Sequence, residues 1–427
     1  MGRTVFTGGQ VFDGTGSPAM PGEVVVADGR IVEVRQGHHP DRHEGDTVVD
    51  VTGHTVMPGM VESHAHLTFP SAIGHIDPSF NPPLDVSFFR HIEGFESELA
   101  RAERNAKIVL DAGFTSAYSA GSIIDMPVEV VLRDKLRGGV VTGPRFLAAA
   151  GERDNLPVDP QGRQRSNWHG PEAMRDWVLS HAQQGFDSIK FLVSNDDVFT
   201  PGGSMMTQYS AEELNAAGEA ARQAGVWLNG HCQSPESVKL AVKAGFRSIY
   251  HCTYADEEAL DLLESVKDTV FVSPAAGIVY ANVYEGEEYG ITREVATSMG
   301  SVASFEGMQA IYPELRKRGV RALIGGDYGF PNNPIGRNAR DLELFVKYLG
   351  YSPAEALVAA TQYGGQLMGL GDELGLLKAG YLADVLVVKG DPTLDVTILQ
   401  DKDNLVAIMQ AGRFHKAPAA DAAHAGA

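Results

Sequence analysis

The sequence is poor in cysteine and has no run of basic residues and no long apolar stretch, and each lack removes a class of protein. Only Cys232 and Cys252 occur in 427 residues, so no disulfide framework holds the fold, and a reducing, cytoplasmic setting is expected. No segment approaches the ~18 continuous apolar residues of a membrane span, and the opening MGRTVFTGGQVFDG has no hydrophobic leader core. Lys and Arg number 35 against 55 Asp and Glu, a formal net charge of -20. An anionic surface of this kind repels nucleic acid and acidic membranes, which leaves a small-molecule partner as the expectation. With 43% hydrophobic residues the chain can bury a large core.

What is present is alternation. Residues 1–57 read as short β elements broken by turns, TVFTGGQVFDG, EVVVADGRIVEVRQG and DTVVDVTGHTVMPG, with Asp28-Gly29 as a hairpin signal. Residues 371–417 repeat that pattern in GLLKAGYLADVLVVKGDPTLD and NLVAIMQAGRFHK. The simplest way to cover the sheet edges is for the two ends to meet as one small β-sandwich domain. Between them, over 58–370, apolar runs at 115–121, 144–150, 188–194, 226–232, 247–252, 269–275 and 321–327 alternate with helical stretches such as PEAMRDWVLSHAQQG and SAEELNAAGEAARQAG. Together with the strand ending at MVESHAH they give about eight β/α units, which predicts an α/β fold of the (β/α)8 TIM-type barrel class. Residues 418–427 read as a disordered tail. Segments 67–95 and 276–309, aromatic and rich in Gly and Pro, break the alternation and read as long loops over the strand ends.

In VESHAHL, His64 and His66 are two residues apart on a strand, so their imidazoles share a face and can meet at one ion. Alone this is a weak signal, because His-x-His triplets arise by chance. Lys190 in DSIKFLV, His231 in WLNGHC, His251 in SIYHC and Asp327 in LIGGDYG then fall at or near the C-terminal ends of further predicted strands. Each has a bland reading: a half-buried histidine, a turn aspartate, a lysine reaching solvent. Jointly, four imidazoles and a carboxylate on the rim where barrels build chemistry are hard to explain as packing. An ammonium would repel a divalent cation, so Lys190 fits such a site only if its amine has taken up CO2 as an anionic carbamate. Cys232 and Cys252 follow histidines directly, point to the opposite face and read as packing residues.

This order of residues, within a split β domain whose second half reads LGLLKAGYLADVLVVKGDP, resembles the amidohydrolase superfamily across essentially the whole chain. HCQSPESVKLAVKAGFRSIYHC and SPAEALVAATQYGGQLMGL resemble the branch of imidazolonepropionase-like enzymes, metallo-dipeptidases and hydrolases of N-acyl amino acids such as ochratoxin. GGDYGF is similar to amidohydrolases that open phenylureas and thiocarbamates. The resemblance implies that His64, His66 and Asp327 hold one divalent ion, that His231 and His251 hold a second, and that carboxylated Lys190 bridges the two. Zinc suits these donors, with cobalt or manganese as alternatives. It further implies a homo-oligomer, and hydrolysis of an amide-type C-N bond by a hydroxide shared between the ions, with Asp327 as the catalytic proton carrier.

The aromatic side chains of the two long segments, with Phe69 and Phe80 among them, favour an aryl or acyl amide. His75, Phe88, Phe89, Tyr280, Tyr284, Tyr328 and Arg337 are the expected substrate contacts. Dipeptides or N-acyl amino acids, and phenylureas or carbamates, are the alternative substrates. Two rival readings are a one-metal deaminase of the same superfamily, from which Lys190 separates this chain, and a non-catalytic scaffold, against which the full set of ligand types argues.

Overall fold

The computed structural model describes residues 2–39, 42–76, 94–122, 125–157 and 164–419. The expected tail, from residue 420 on, and the expected substrate contacts Phe88 and Phe89 lie outside the described residues.

Strands from both ends of the chain build one nine-stranded sheet. Its seam is the antiparallel pairing of Val385–Lys389 with His54–Pro58, in which Leu386 faces Met57. Met20–Ala27 and Arg30–Gln36 form the hairpin that Asp28-Gly29 predicts, with both turn residues at positive φ, 49° and 80°. This is the backbone that a two-residue turn needs to match the strand twist. Val24, Val56, Val385 and Val387 fill the core beneath this sheet.

The middle of the chain is a TIM-type barrel of parallel strands and outer helices. Met60–Ala65, Phe114–Ser119 and Arg145–Leu147 form one arc. Ser188–Leu192, Trp227–Cys232, Ser248–His251 and Phe271–Ser273 form a second. A bridge between Ala149 and Ser188 joins the two arcs. The eighth run, from residue 321, enters by a single parallel bridge, Val272 to Ala322, and meets the first strand where the Ser63 hydroxyl donates to the Ile324 carbonyl. It is not a regular strand because the chain passes too close to its neighbours. A Cβ on Gly325 would lie 2.7 Å from that of His64, and one on Gly326 would lie 2.5 Å from Tyr328 and Asp341.

The two helical stretches singled out from the sequence are Pro171–Gln183 and Ala211–Ala224, the latter opened by a reciprocal cap between Ser210 and Glu213. Segment 276–309, expected as a loop, is instead mostly helical: Ala276–Tyr284, Arg293–Ser298 and the first turns of Ser301–Lys317. Its first helix, AGIVYANVY, is apolar on every side, so no polar face marks its period. No helix among the described residues is long and apolar enough to cross a membrane.

Candidate metal centre

Strand Met60–Ala65 is buried along its whole length, and its alternation sends Glu62, His64 and, one residue past its end, His66 to the same side. Nε2 of His66 lies 3.1 Å from Oδ1 of Asp327, and Nε2 of His64 lies 3.7 Å from the same atom. The donor atoms of these three residues all fall within 4.8 Å of one another. Nδ1 of His66 is 2.7 Å from the carbonyl oxygen of Gly121. A carbonyl can only accept, so Nδ1 carries the proton and Nε2 presents its lone pair to the cleft.

The other rim residues arrive from neighbouring strands. Lys190, at 1% exposure, comes from Ser188–Leu192, His231 from Trp227–Cys232 and His251 from the end of Ser248–His251. The rings of His231 and His251 stand 4.2 Å apart, and that of His251 is 5.8 Å from His64. All six residues line one cleft of about 1020 Å³, open mouth included. Cys232 and Cys252 are free and buried in the core.

Burial removes charge from the imidazoles. It pushes His64 and His231 well below the ordinary histidine range and His251 down to about 4. For Asp327 burial works the other way, but it is outweighed by His64 and His66, which hold the carboxyl below its usual range. His64, His231 and His251 are thus neutral at pH 7, the state in which an imidazole binds a cation. Nε2 of both His231 and His251 is buried with no hydrogen-bond partner. Such orphans are costly unless something else takes their lone pairs, and a metal ion does so.

The backbone is bent to reach this arrangement. His251 and Asp327 have φ of 74° and 56°, in the left-handed region. The bends are held from outside: Tyr312 donates its hydroxyl to the His251 carbonyl at 3.0 Å, and Asn333 donates Nδ2 to the Asp327 carbonyl at 2.9 Å. Strain of this kind collects at functional sites.

The expected substrate contacts that are described lie elsewhere. Tyr328 is buried and donates to Oδ1 of Asp341 at 2.7 Å. His75 is bonded to Arg104 at 3.0 Å, and Tyr280 packs against Phe305 and Tyr348. Tyr284 and Arg337 line a separate surface depression with Glu285, to which Arg337 is ion-paired. The cleft itself is walled by Phe69, Val198, Phe199, Ile278, Val279 and Met299, and Phe69 stacks on the His66 ring at 4.1 Å.

Two acidic residues that the sequence reading passed over, Glu152 and Asp196, also line the cleft. Burial pushes Asp196 up to about 6, and its Oδ2 sits 3.5 Å from Nε2 of His231. Both lie just past predicted strands, at 144–150 and 188–194, so the rule that points to the histidines and Asp327 reaches them once it is carried a short way beyond each strand end.

Imidazoles converging on a carboxylate at a barrel rim are an arrangement that can hold a divalent metal ion. Residues 55–414 match the Amidohydrolase family, and the chain is a member of it. The chain is 24% identical to an ochratoxinase of Aspergillus niger, a match covering 97% of this chain and 87% of that protein. It is 25% identical to an imidazolonepropionase of Rubrobacter xylanophilus, over 93% and 90% of the two chains. The fold is similar to a crystal structure of a Xaa-Pro dipeptidase with methionine bound in the active site, with a TM-score of 0.81, 24% identity, and coverage of 97% and 100%.

Proposed function

We propose that this protein hydrolyses the amide-type C-N bond of a small aryl or acyl amide, using two divalent ions. His64, His66 and Asp327 would hold one ion and His231 and His251 the other, with carboxylated Lys190 between them. The observation that carries this reading is that neutral, partly orphaned imidazoles from three strands line one cleft with Asp327 and a buried lysine. Two such ions, zinc being well suited to mixed nitrogen and oxygen donors, supply an activated water and polarise the scissile carbonyl.

The chain's own groups do the rest. Oδ1 of Asp327 takes the proton released on attack and passes it to the departing nitrogen, which could not leave as an amide anion. The apolar wall of Val198, Phe199, Ile278, Val279 and Met299 takes an aromatic or aliphatic group and keeps bulk water from it. The likeness to ochratoxinase and to a Xaa-Pro dipeptidase favours a second reading, in which the substrate is an N-acyl amino acid or a dipeptide.

A panel of anilides, N-acyl amino acids, dipeptides, aryl carbamates and ureas, run with defined zinc, cobalt or manganese, separates these readings. Turnover of anilides is expected. Turnover of dipeptides or N-acyl amino acids alone would replace the first reading with the second. Protein that holds less than about one equivalent of metal after growth in zinc or cobalt and turns over nothing would overturn both.

A further inference from the structure

Glu152 has no task in the scheme above, yet it occupies a central place in the cleft. Its Oε1 lies 3.2 Å from Nζ of Lys190 and 4.0 Å from Nε2 of His66. The carboxylate therefore stands between an imidazole from the first barrel strand and the lysine from Ser188–Leu192. We propose that Glu152 is a further anionic ligand of the metal centre, sharing a divalent cation with His66 beside the bridging position of Lys190. The inference rests on the reading of this cleft as a metal centre.

The first argument is electrostatic. As an ammonium, Lys190 forms an ion pair with Glu152. Once Lys190 carries CO2, the same approach sets two anions side by side at a buried position, which is unfavourable unless a cation lies between them. A divalent ion at the lysine supplies that cation, and the carboxylate then gains by remaining.

The second argument is charge balance. Glu152, Asp196 and Asp327 are the carboxylates lining the cleft. The neutral imidazoles add no charge. With the carbamate of Lys190 they make four anions, enough to offset the charge of two divalent cations in a site of low dielectric.

The third argument is steric, and it shows the placement to be built into the backbone. The amide of Glu152 donates to the Ser122 carbonyl at 2.9 Å, that of Arg153 to the Lys190 carbonyl at 3.0 Å, and that of Leu192 to the Arg153 carbonyl at 2.8 Å. These bonds lock the two segments in register. Gly121, at φ 105°, lies against both side chains: a Cβ there would come within 3.0 Å of Glu152 Cγ and 3.1 Å of Lys190 Cβ. The same glycine's carbonyl fixes the tautomer of His66. One residue without a side chain thus lets all three groups approach.

Cobalt binding to the metal-free protein tests the proposal, read by titration calorimetry and by the visible ligand-field spectrum. The variants are Glu152→Gln, Lys190→Ala and the two combined. A ligand role predicts that E152Q weakens cobalt binding at least tenfold both in the wild-type background and in K190A, and alters the spectrum in both. Binding within twofold of wild type, or an effect that vanishes in K190A, overturns the proposal and leaves Glu152 as a counter-ion of the lysine.

Glu152→Asp keeps the carboxylate but draws it back by one methylene, so intermediate affinity and an altered spectrum are expected. An E152D spectrum identical to wild type counts against ligation even if E152Q does not fold. His66→Ala is the control for the underlying reading. If H66A binds cobalt as wild type does, the metal centre itself is misassigned, whereas a loss in H66A with no change in E152Q sinks only the role of Glu152.

Discussion

Asn338 donates from Nδ2 to Oε2 of Glu62 at 2.6 Å, while Oε1 of that carboxyl accepts the backbone N–H of His64 at 2.9 Å. The group lies beneath the candidate centre, and burial pushes it up to about 8. It joins the loop after Asp327 to the strand that presents the first two histidines.

Asn338→Ala removes one partner from this buried carboxyl. The expected cost is about 1–3 kcal/mol of stability, read as a lower urea midpoint at unchanged slope. Cobalt affinity is expected to fall about 10–100-fold, because His64 loses the support of its backbone. A variant with both properties unchanged would show that His64 needs no such brace.

Asp327→Asn keeps the shape of the side chain and removes the proton acceptor. The expected loss in kcat is about 10²–10⁴-fold on an anilide. An activated ester, whose leaving group needs no proton, should suffer less. Equal losses on ester and anilide would indicate that Asp327 serves binding alone.

Glu129 gives a pH prediction away from the cleft. It is buried, accepts the N–H of Ala149 at 2.9 Å, and burial raises its pKa to about 7 from an ordinary 4.5. Between those values the native protein keeps a proton that the unfolded chain has lost, so stability falls as pH rises through this window and stays lower above it. Glu129→Gln should match wild type near pH 4 and exceed it by about 3 kcal/mol at pH 8. Denaturation curves at the two pH values measure the difference, and a constant gap between the proteins would refute it.

Phe199→Ala and Val279→Ala trim the apolar wall. Each is expected to raise KM for a bulky aryl amide about 10-fold with little change in kcat, since the lost contacts serve ground state and transition state alike. Steady-state kinetics against a small and a large acyl group would read this as a size-dependent penalty. A penalty equal for both would move the substrate away from this wall.

Much of the barrel was legible because the hydrophobic period marks where strands stop, and in this architecture strand ends mark the cleft. That one rule brought His64, His66, Lys190, His231, His251 and Asp327 to a single opening. It had no means of finding Ala276–Tyr284, since a short helix that is apolar almost throughout carries no amphipathic stripe. Aromatic content was a partial guide to the cleft wall, which does include Phe69. Tyr280 and Tyr328 are engaged by Phe305 and Asp341, while aliphatic side chains such as Ile278 and Val279 face the opening. Side-chain direction within a loop follows from packing partners distant in sequence, and periodicity is silent about those.

The seam between Val385–Lys389 and His54–Pro58 has a consequence for synthesis. A nascent chain emerges with His54–Pro58 and the His64 strand early, yet Val385–Lys389, which pairs with His54–Pro58, is translated only after the entire barrel. Closure of so long a loop is slow, and until then His54–Pro58 offers an open edge to other chains. Ribosome-bound intermediates stalled before residue 385 are therefore the species on which a chaperone should act, and the stage at which aggregation during expression should be greatest.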